Sequence, residues 1–148
     1  MAIRIGELLI MQGKLTEEQL EDALKAQKER HEKVGEALVR LGFVDELTLI
    51  KALAQQLKML RVALDLTPSI PAEVLKHIPG EVARRLRVVP LHLKDGGKVL
   101  GVVMTDPSNA AQVDELRQLT GLQVEPMIST PSQILRMIDR CYGVSQDG

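Results

Sequence analysis

Two basic residues, Arg4 and Lys33, each stand just ahead of a glycine (Gly6, Gly35), and each opens a segment that closes on a glutamine (Gln27, Gln56). A cation beside glycine puts charge next to backbone that can be approached closely, because glycine has no Cβ. Where such a segment begins a helix, exposed N–H groups add attraction for an anion. An arginine also forks onto the O6 and N7 edge of guanine. The glutamine is a polar amide closing an otherwise apolar stripe, able to donate and accept at once. Ahead of it, Leu20 and Leu24 in one segment and Leu49 and Leu53 in the other offer apolar surface to a base or sugar. The segments are copies: matched positions are offset by 29 residues (33 minus 4, 56 minus 27) with no insertion. Two copies are too few for a solenoid. Two near-symmetric sets suit a ligand with two equivalent nucleotides. The same spacing also serves packing alone, since leucines at helical period build cores and glycines end helices.

The elements that must carry these residues read as follows. In the first copy, one helix holds Ile5, Leu8 and Leu9 and stops at Gly13, a natural C-cap. A second opens at Thr16, with Gln19 three residues on as a capping box, and puts Leu20, Leu24 and Gln27 on one face. The second copy repeats the plan, with Gly42 ending one helix, Asp45 capping the next, and Leu49, Leu53 and Gln56 in line. Residues 1–57 are thus expected to form a pair of αα-hairpins with pseudo-two-fold character. Residues 58–148 change pattern. Pro68, Pro71 and Pro79 bracket a short helix near 71–78, and Glu81 to Leu86 forms another. Val88 to Leu93 and Lys98 to Met104 are β-rich runs separated by an Asp95-Gly96-Gly97 turn. Asp106-Pro107-Ser108 leads into a helix ending before Gly121, a strand spans 123–128, and Thr130-Pro131-Ser132-Gln133 opens a last helix with a capping box. The expected class is α+β, with a small, largely antiparallel sheet in the second half. The final residues, 144–148, read as a free tail or the start of a linker.

Catalytic constellations are not found. His31, His77 and His92 are widely spaced and lack a metal-ligand rhythm, so no metal is expected. Gly96-Gly97-Lys98 resembles part of a P-loop but sits between two strands, with Val99 where Ser or Thr is needed. Cys141 lies on an apolar helix face and reads as core. The chain is read as no enzyme and as needing no cofactor. Its net charge of -1 and its two aromatics, Phe43 and Tyr142, argue against a nucleic-acid polymer as partner. No apolar run reaches the length of a membrane span, and the lone cysteine fits a reducing cytoplasm.

The duplicated segment resembles the tandem motif R-L-G-x-x-L-x-x-x-G-x-L-x-x-x-x-L-x-x-x-L-x-x-Q of the MshEN domain, with its five-residue spacer present as Lys28 to Glu32. The first copy departs only at Ile5; the second departs at Lys33, Val34 and Val44. Leu64-Asp65-Leu66, Ile70-Pro71-Ala72-Glu73, Val89-Pro90-Leu91, Met104-Thr105-Asp106-Pro107 and Leu119-Thr120-Gly121 extend the likeness along nearly the whole chain. The MshEN domain is the N-terminal region of type II secretion and type IV pilus assembly ATPases, and members resembling this motif bind cyclic di-GMP, one half per copy. The resemblance implies that Arg4 and Lys33 contact guanine or phosphate, and that Gly6 and Gly35 let backbone amides reach the ligand. It implies that Gln27 and Gln56 hydrogen-bond a base or phosphate, with Ile5, Leu20, Leu24, Val34, Leu49 and Leu53 as apolar contacts. Asp106 would reach a guanine edge, and Glu36 is a weaker candidate of the same kind. The implied partners are cyclic di-GMP and a secretion or pilus assembly ATPase or platform protein. The rival expectation is a protein-interaction adaptor of the same fold with a decayed ligand site. An ATPase would need a catalytic partner chain, because no Walker motif is present, and the resemblance equally fits a piece of a longer ATPase.

Overall fold

The computed structural model describes residues 4–106 and 109–143. Pro107 and Ser108, and the tail expected over 144–148, lie outside the described residues. The chain divides into two compact units, Met1–Lys58 and Met59–Gly148.

The first unit holds four helices: α1 (Ile5–Met11), α2 (Glu17–Arg30), α3 (Val34–Arg40) and α4 (Glu46–Leu57). The repeat in sequence is a repeat in backbone. Helices α1 and α3 both close on a left-handed glycine, Gly13 (φ +73°) and Gly42 (φ +76°), where a side chain would be strained. Each makes the same pair of closing bonds. Lys14 N donates to Leu9 O at 2.9 Å and Gly13 N to Ile10 O at 3.0 Å; Phe43 N donates to Leu38 O and Gly42 N to Val39 O, both at 3.0 Å. The capping box of α2 is complete, with Gln19 N on Thr16 Oγ1 and Thr16 N on Gln19 Oε1, each at 3.1 Å. Asp45 caps α4 through Thr48 N at 2.7 Å, and that amide holds its carboxyl below the usual carboxylate range. Helix α2 packs on α3 and α1 on α4, a pairing that the 29-residue offset maps onto itself. Leu9 and Leu38, equivalent positions, are fully buried at the centre of one core with Leu15, Ala23, Ala37 and Ala52.

The second unit is α+β. A 3-10 turn (Leu64–Leu66) and the short helices α5 (Ala72–Leu75) and α6 (Gly80–Leu86) precede strands β1 (Val88–Lys94) and β2 (Val99–Met104). Then come α7 (Ala110–Thr120), β3 (Gln123–Ile128) and α8 (Pro131–Tyr142). Strand order is β1-β2-β3, with β1 antiparallel to β2 through the tight turn and β3 parallel to β2. The sheet is therefore mixed rather than largely antiparallel. The cause is α7: a helix between two strands is a crossover that returns the chain in the same direction. Pro90 and Pro126 fall on the two outer strands, where a missing N–H disturbs the ladder least. Leu100, Val102, Val103 and Met104 of the central strand are fully buried, against Leu116 of α7 and Ile134 and Ile138 of α8.

One capping expectation is corrected. Thr130 accepts from Gln133 N at 3.2 Å, but the Gln133 carboxamide does not return to the cap. Its Oε1 accepts instead from Asp65 N at 3.2 Å. Arg136 forks onto the Asp65 carboxylate (3.1 and 2.7 Å), and Arg140 reaches Thr67 O at 2.6 Å. One face of α8, from Gln133 to Arg140, thus anchors the 64–67 segment, a tertiary demand that displaces the reciprocal bond of the capping box and leaves the Thr130 cap in place.

Candidate ligand site of the duplicated motif

Arg4 and Lys33 occupy the same backbone position, the N-cap of a seven-residue helix, at φ -69°, ψ 151° and φ -75°, ψ 153°. Neither side chain caps its helix, and both residues are exposed. N-caps favour Ser, Thr, Asp or Asn, and a cation at this end opposes the helix dipole. The structure therefore repeats a locally unfavourable choice, with Glu7 and Glu36 in the first turn as partial compensation.

Two residues on, the motif glycines face the next helix. A Cβ at Gly6 would lie 2.6 Å from Leu20 Cδ1, and one at Gly35 would lie 3.1 Å from Leu49 Cδ2. These are equivalent pairs, so each glycine lets the first leucine of the following helix seat over the helix start. Ile5, Leu20, Val34, Leu49 and Leu53 all belong to the core of the first unit. Leu24 does not: it stands 38% exposed on α2, whereas its equivalent Leu53 is half-buried. Leu20 is likewise half-buried where Leu49 is buried. The first copy presents more apolar surface than the second. Gln27 and Gln56 are half-buried near the ends of α2 and α4.

Asp106 belongs to the second unit, half-buried just past β2, with its carbonyl accepting from Asn109 N at 3.1 Å. An open depression of about 600 Å³ on the first unit, lined by Lys14, Phe43, Val44, Asp45 and Thr48 among others, includes none of the expected contact residues. Among the described residues there is no group of three or more His, Cys, Asp or Glu placed to hold a metal ion. Of the basic residues Arg84, Arg85 and Arg87 at the end of α6, Arg84 pairs with Asp139 at 2.8 Å and Arg85 with Glu115 at 2.5 Å.

Sequence reasoning missed two polar links in the first unit. Gln12 Nε2 donates to Gln55 Oε1 at 2.9 Å, joining the end of α1 to α4. Arg40 donates from Nε (3.0 Å) and Nη2 (2.5 Å) to Glu32 Oε1, which holds the Glu32 carboxyl below its ordinary range. Neither pair follows the i, i+3 or i, i+4 rule that makes ion pairs visible in a helix, so periodicity carries no signal for them.

The chain matches the MshEN domain family over residues 57–147, which takes in all but the last residue of the second unit. Likeness to individual proteins extends over the tandem motif as well. The type IV pilus assembly ATPase PilB of Myxococcus xanthus (strain DK1622) is 34% identical over 145 residues, 96% of this chain and 25% of PilB. The chain therefore spans a quarter of that relative's length. The structure of MshE with cyclic di-GMP agrees with a TM-score of 0.82 at 32% identity, covering 95% of this chain and 99% of that one. The N-terminal domain of XpsE shares the fold, with a TM-score of 0.79 at 24% identity over 95% of this chain and 94% of its own. No helix among the described residues is long and apolar enough to cross a membrane. With the family match covering more than half of the sequence and the fold shared throughout, the chain belongs to the MshEN domain family.

Proposed function

We propose that this chain is a non-catalytic regulatory module that binds cyclic di-GMP across its two tandem motifs, one half of the dinucleotide per copy. The observation that carries the reading is the geometric repetition of Arg4 and Lys33, two exposed cations at N-cap positions of closely matching backbone conformation. A ligand with two equivalent guanylate halves presents two phosphates and two guanine edges to such a pair. Arg4 and Lys33 meet guanine or phosphate, Gln27 and Gln56 donate to or accept from the base or phosphate, and exposed Leu24 covers an apolar face. Gly6 and Gly35 let backbone amides reach the ligand, and Leu20 and Leu49, seated over them, join Ile5, Val34 and Leu53 as apolar contacts. Similarity to MshE, whose structure holds this ligand, supports the assignment. The output is a secretion or pilus assembly ATPase or its platform, as the likeness to PilB suggests.

Calorimetric titration with cyclic di-GMP, with GTP and ATP as controls, tests the proposal. Saturable binding of cyclic di-GMP alone, lost in Arg4→Ala and Gln27→Ala, is expected. A folded chain giving no heat at hundreds of micromolar ligand refutes it. One observation favours a second reading, an adaptor with a decayed site: Lys33 keeps the charge of the motif arginine but lacks its planar fork. A bidentate contact is worth about 1–3 kcal/mol of discrimination. Lys33→Arg should therefore tighten a live site about fivefold or more, and leave a decayed one silent.

A further inference from the structure

The three residues His31, Glu32 and Lys33 join α2 to α3, and with them the end of one motif to the start of the next. His31 is left-handed (φ 54°, ψ 37°) and caps α2, its N–H bonding Gln27 O. Glu32 bonds in two directions. Its amide donates to the carbonyl of the motif glutamine Gln27 at 3.3 Å, and its carboxylate receives both Arg40 bonds from the last turn of α3. The Glu32 side chain is only 13% exposed and that of Arg40 32%, so the pair is shielded more than an ordinary surface bridge. Helical side chains lean toward their own N-terminus, which brings Arg40 back along α3 toward the turn. The first copy has no counterpart: 29 residues earlier stand Ile3 and Met11. The extra pair thus occurs only in the copy whose motif arginine is a lysine. A lysine head on a four-carbon stem has no planar fork to orient it and depends more on where its backbone is held.

We propose that the Glu32–Arg40 ion pair is the positioning clamp of the second half-site, fixing the α2–α3 turn so that Lys33 is delivered to the anionic or guanine group it recognises. The inference rests on the ligand reading above. Glu32 and Arg40 act through Lys33 and touch no ligand themselves.

The test uses Glu32→Gln, Arg40→Met and the exchanged pair Glu32→Arg with Arg40→Glu. Affinity for cyclic di-GMP is measured by calorimetry in the native and Lys33→Ala backgrounds. Amide hydrogen exchange is followed at Ala37, whose N–H bonds Lys33 O at 3.1 Å, and at its first-copy equivalent Leu8, on Arg4 O at 3.0 Å. The expected result is about a three- to fivefold loss of affinity in each single variant, recovery in the exchanged pair, and no further loss once Lys33 is alanine. Exchange should quicken at Ala37 and stay unchanged at Leu8. Equal losses in both backgrounds, or unchanged exchange at Ala37 in both single variants, overturn the clamp while native binding stands. A native chain that binds no cyclic di-GMP overturns the ligand reading and the clamp's role in it together.

Discussion

Alanine at the two motif glycines separates packing from propensity. Gly6 and Gly35 lie in the first turn of α1 and α3, and neither has a positive φ, so alanine can adopt the backbone of both. Taken alone, the exchange would stabilise each helix by about 0.5–1 kcal/mol. Against that stands the leucine over each glycine. At Gly6 the new Cβ would lie 2.6 Å from Leu20 Cδ1 and 3.0 Å from Cδ2, so the side chain must move by most of an ångström. At Gly35 the shortest approach is 3.1 Å, which a few tenths relieve. Forced repacking costs about 1–3 kcal/mol. The balance for Gly6→Ala is a net loss of about 0.5–2 kcal/mol, whereas Gly35→Ala, with the clash at the low end of the range, falls within about 0.5 kcal/mol of neutral. Urea denaturation followed by circular dichroism reads the difference as a shift of midpoint at constant slope. Gly6→Ala more stable than the native chain, or Gly35→Ala the worse of the two, would refute the claim that the first glycine is fixed by the leucine above it.

Thr16→Ala removes the acceptor of Gln19 N and should lower stability by about 0.5–2 kcal/mol, seen in the same denaturation assay; Thr16→Asn should retain most of it. Tyr142 is the sole tyrosine, so ultraviolet absorbance reports its ionisation alone; burial, with a smaller contribution from Cys141, pushes it up to about 12, and its hydroxyl donates to Ile78 O at 2.9 Å. Its folded pKa lies above the unfolded one, so its stabilisation is full below about pH 10 and declines as pH rises toward 12; Tyr142→Phe should flatten that alkaline decline. Arg136 holds the Asp65 carboxyl below its ordinary range, so this pair's contribution is present at neutral pH and fades as pH falls below about 4. In Arg136→Gln, the drop in urea midpoint between pH 7 and acid should be smaller than in the native chain.

The first unit was legible because its repeat states the same local chemistry twice. Gly13, Thr16, Gly42 and Asp45 are caps with short-range signatures, and each closes its helix as its residue type demands. The strands were legible from β-branched runs around Asp95-Gly96-Gly97. The direction of β3 was not, because a strand's sequence does not state its neighbour; only the intervening α7 does, through its crossover. Gln133 failed as a capping-box partner for a similar reason: Asp65, 68 residues away, offered a better use for its carboxamide. In the candidate site, the positions of Arg4 and Lys33 at helix starts followed from the motif. The seating of Leu20 over Gly6 and the Glu32–Arg40 pair depend on how helices meet, and no spacing rule encodes that.

The motif is one sequence with two employments, and the structure lets them be told apart. Its glycines at positions 13 and 42 end helices, its leucines Leu9, Leu38 and Leu15 fill the core, and Gly6 and Gly35 make room for Leu20 and Leu49. A four-helix unit would need these residues whether or not it bound anything. The exposed cations, by contrast, sit where a helix start is better served by Ser, Thr or Asp, and Leu24 stands partly in solvent while its equivalent packs. A residue that works against the local structure, at the same place in both copies, is the kind that selection for folding alone would remove. Function is therefore best sought in this subset, and the two copies need not share it equally. The first has the forked cation and the open apolar surface; the second has a lysine, a packed leucine and an ion pair of its own. On this argument Arg4→Ala should cost more affinity than Lys33→Ala, because the first half-site carries the forked cation and the more open apolar surface.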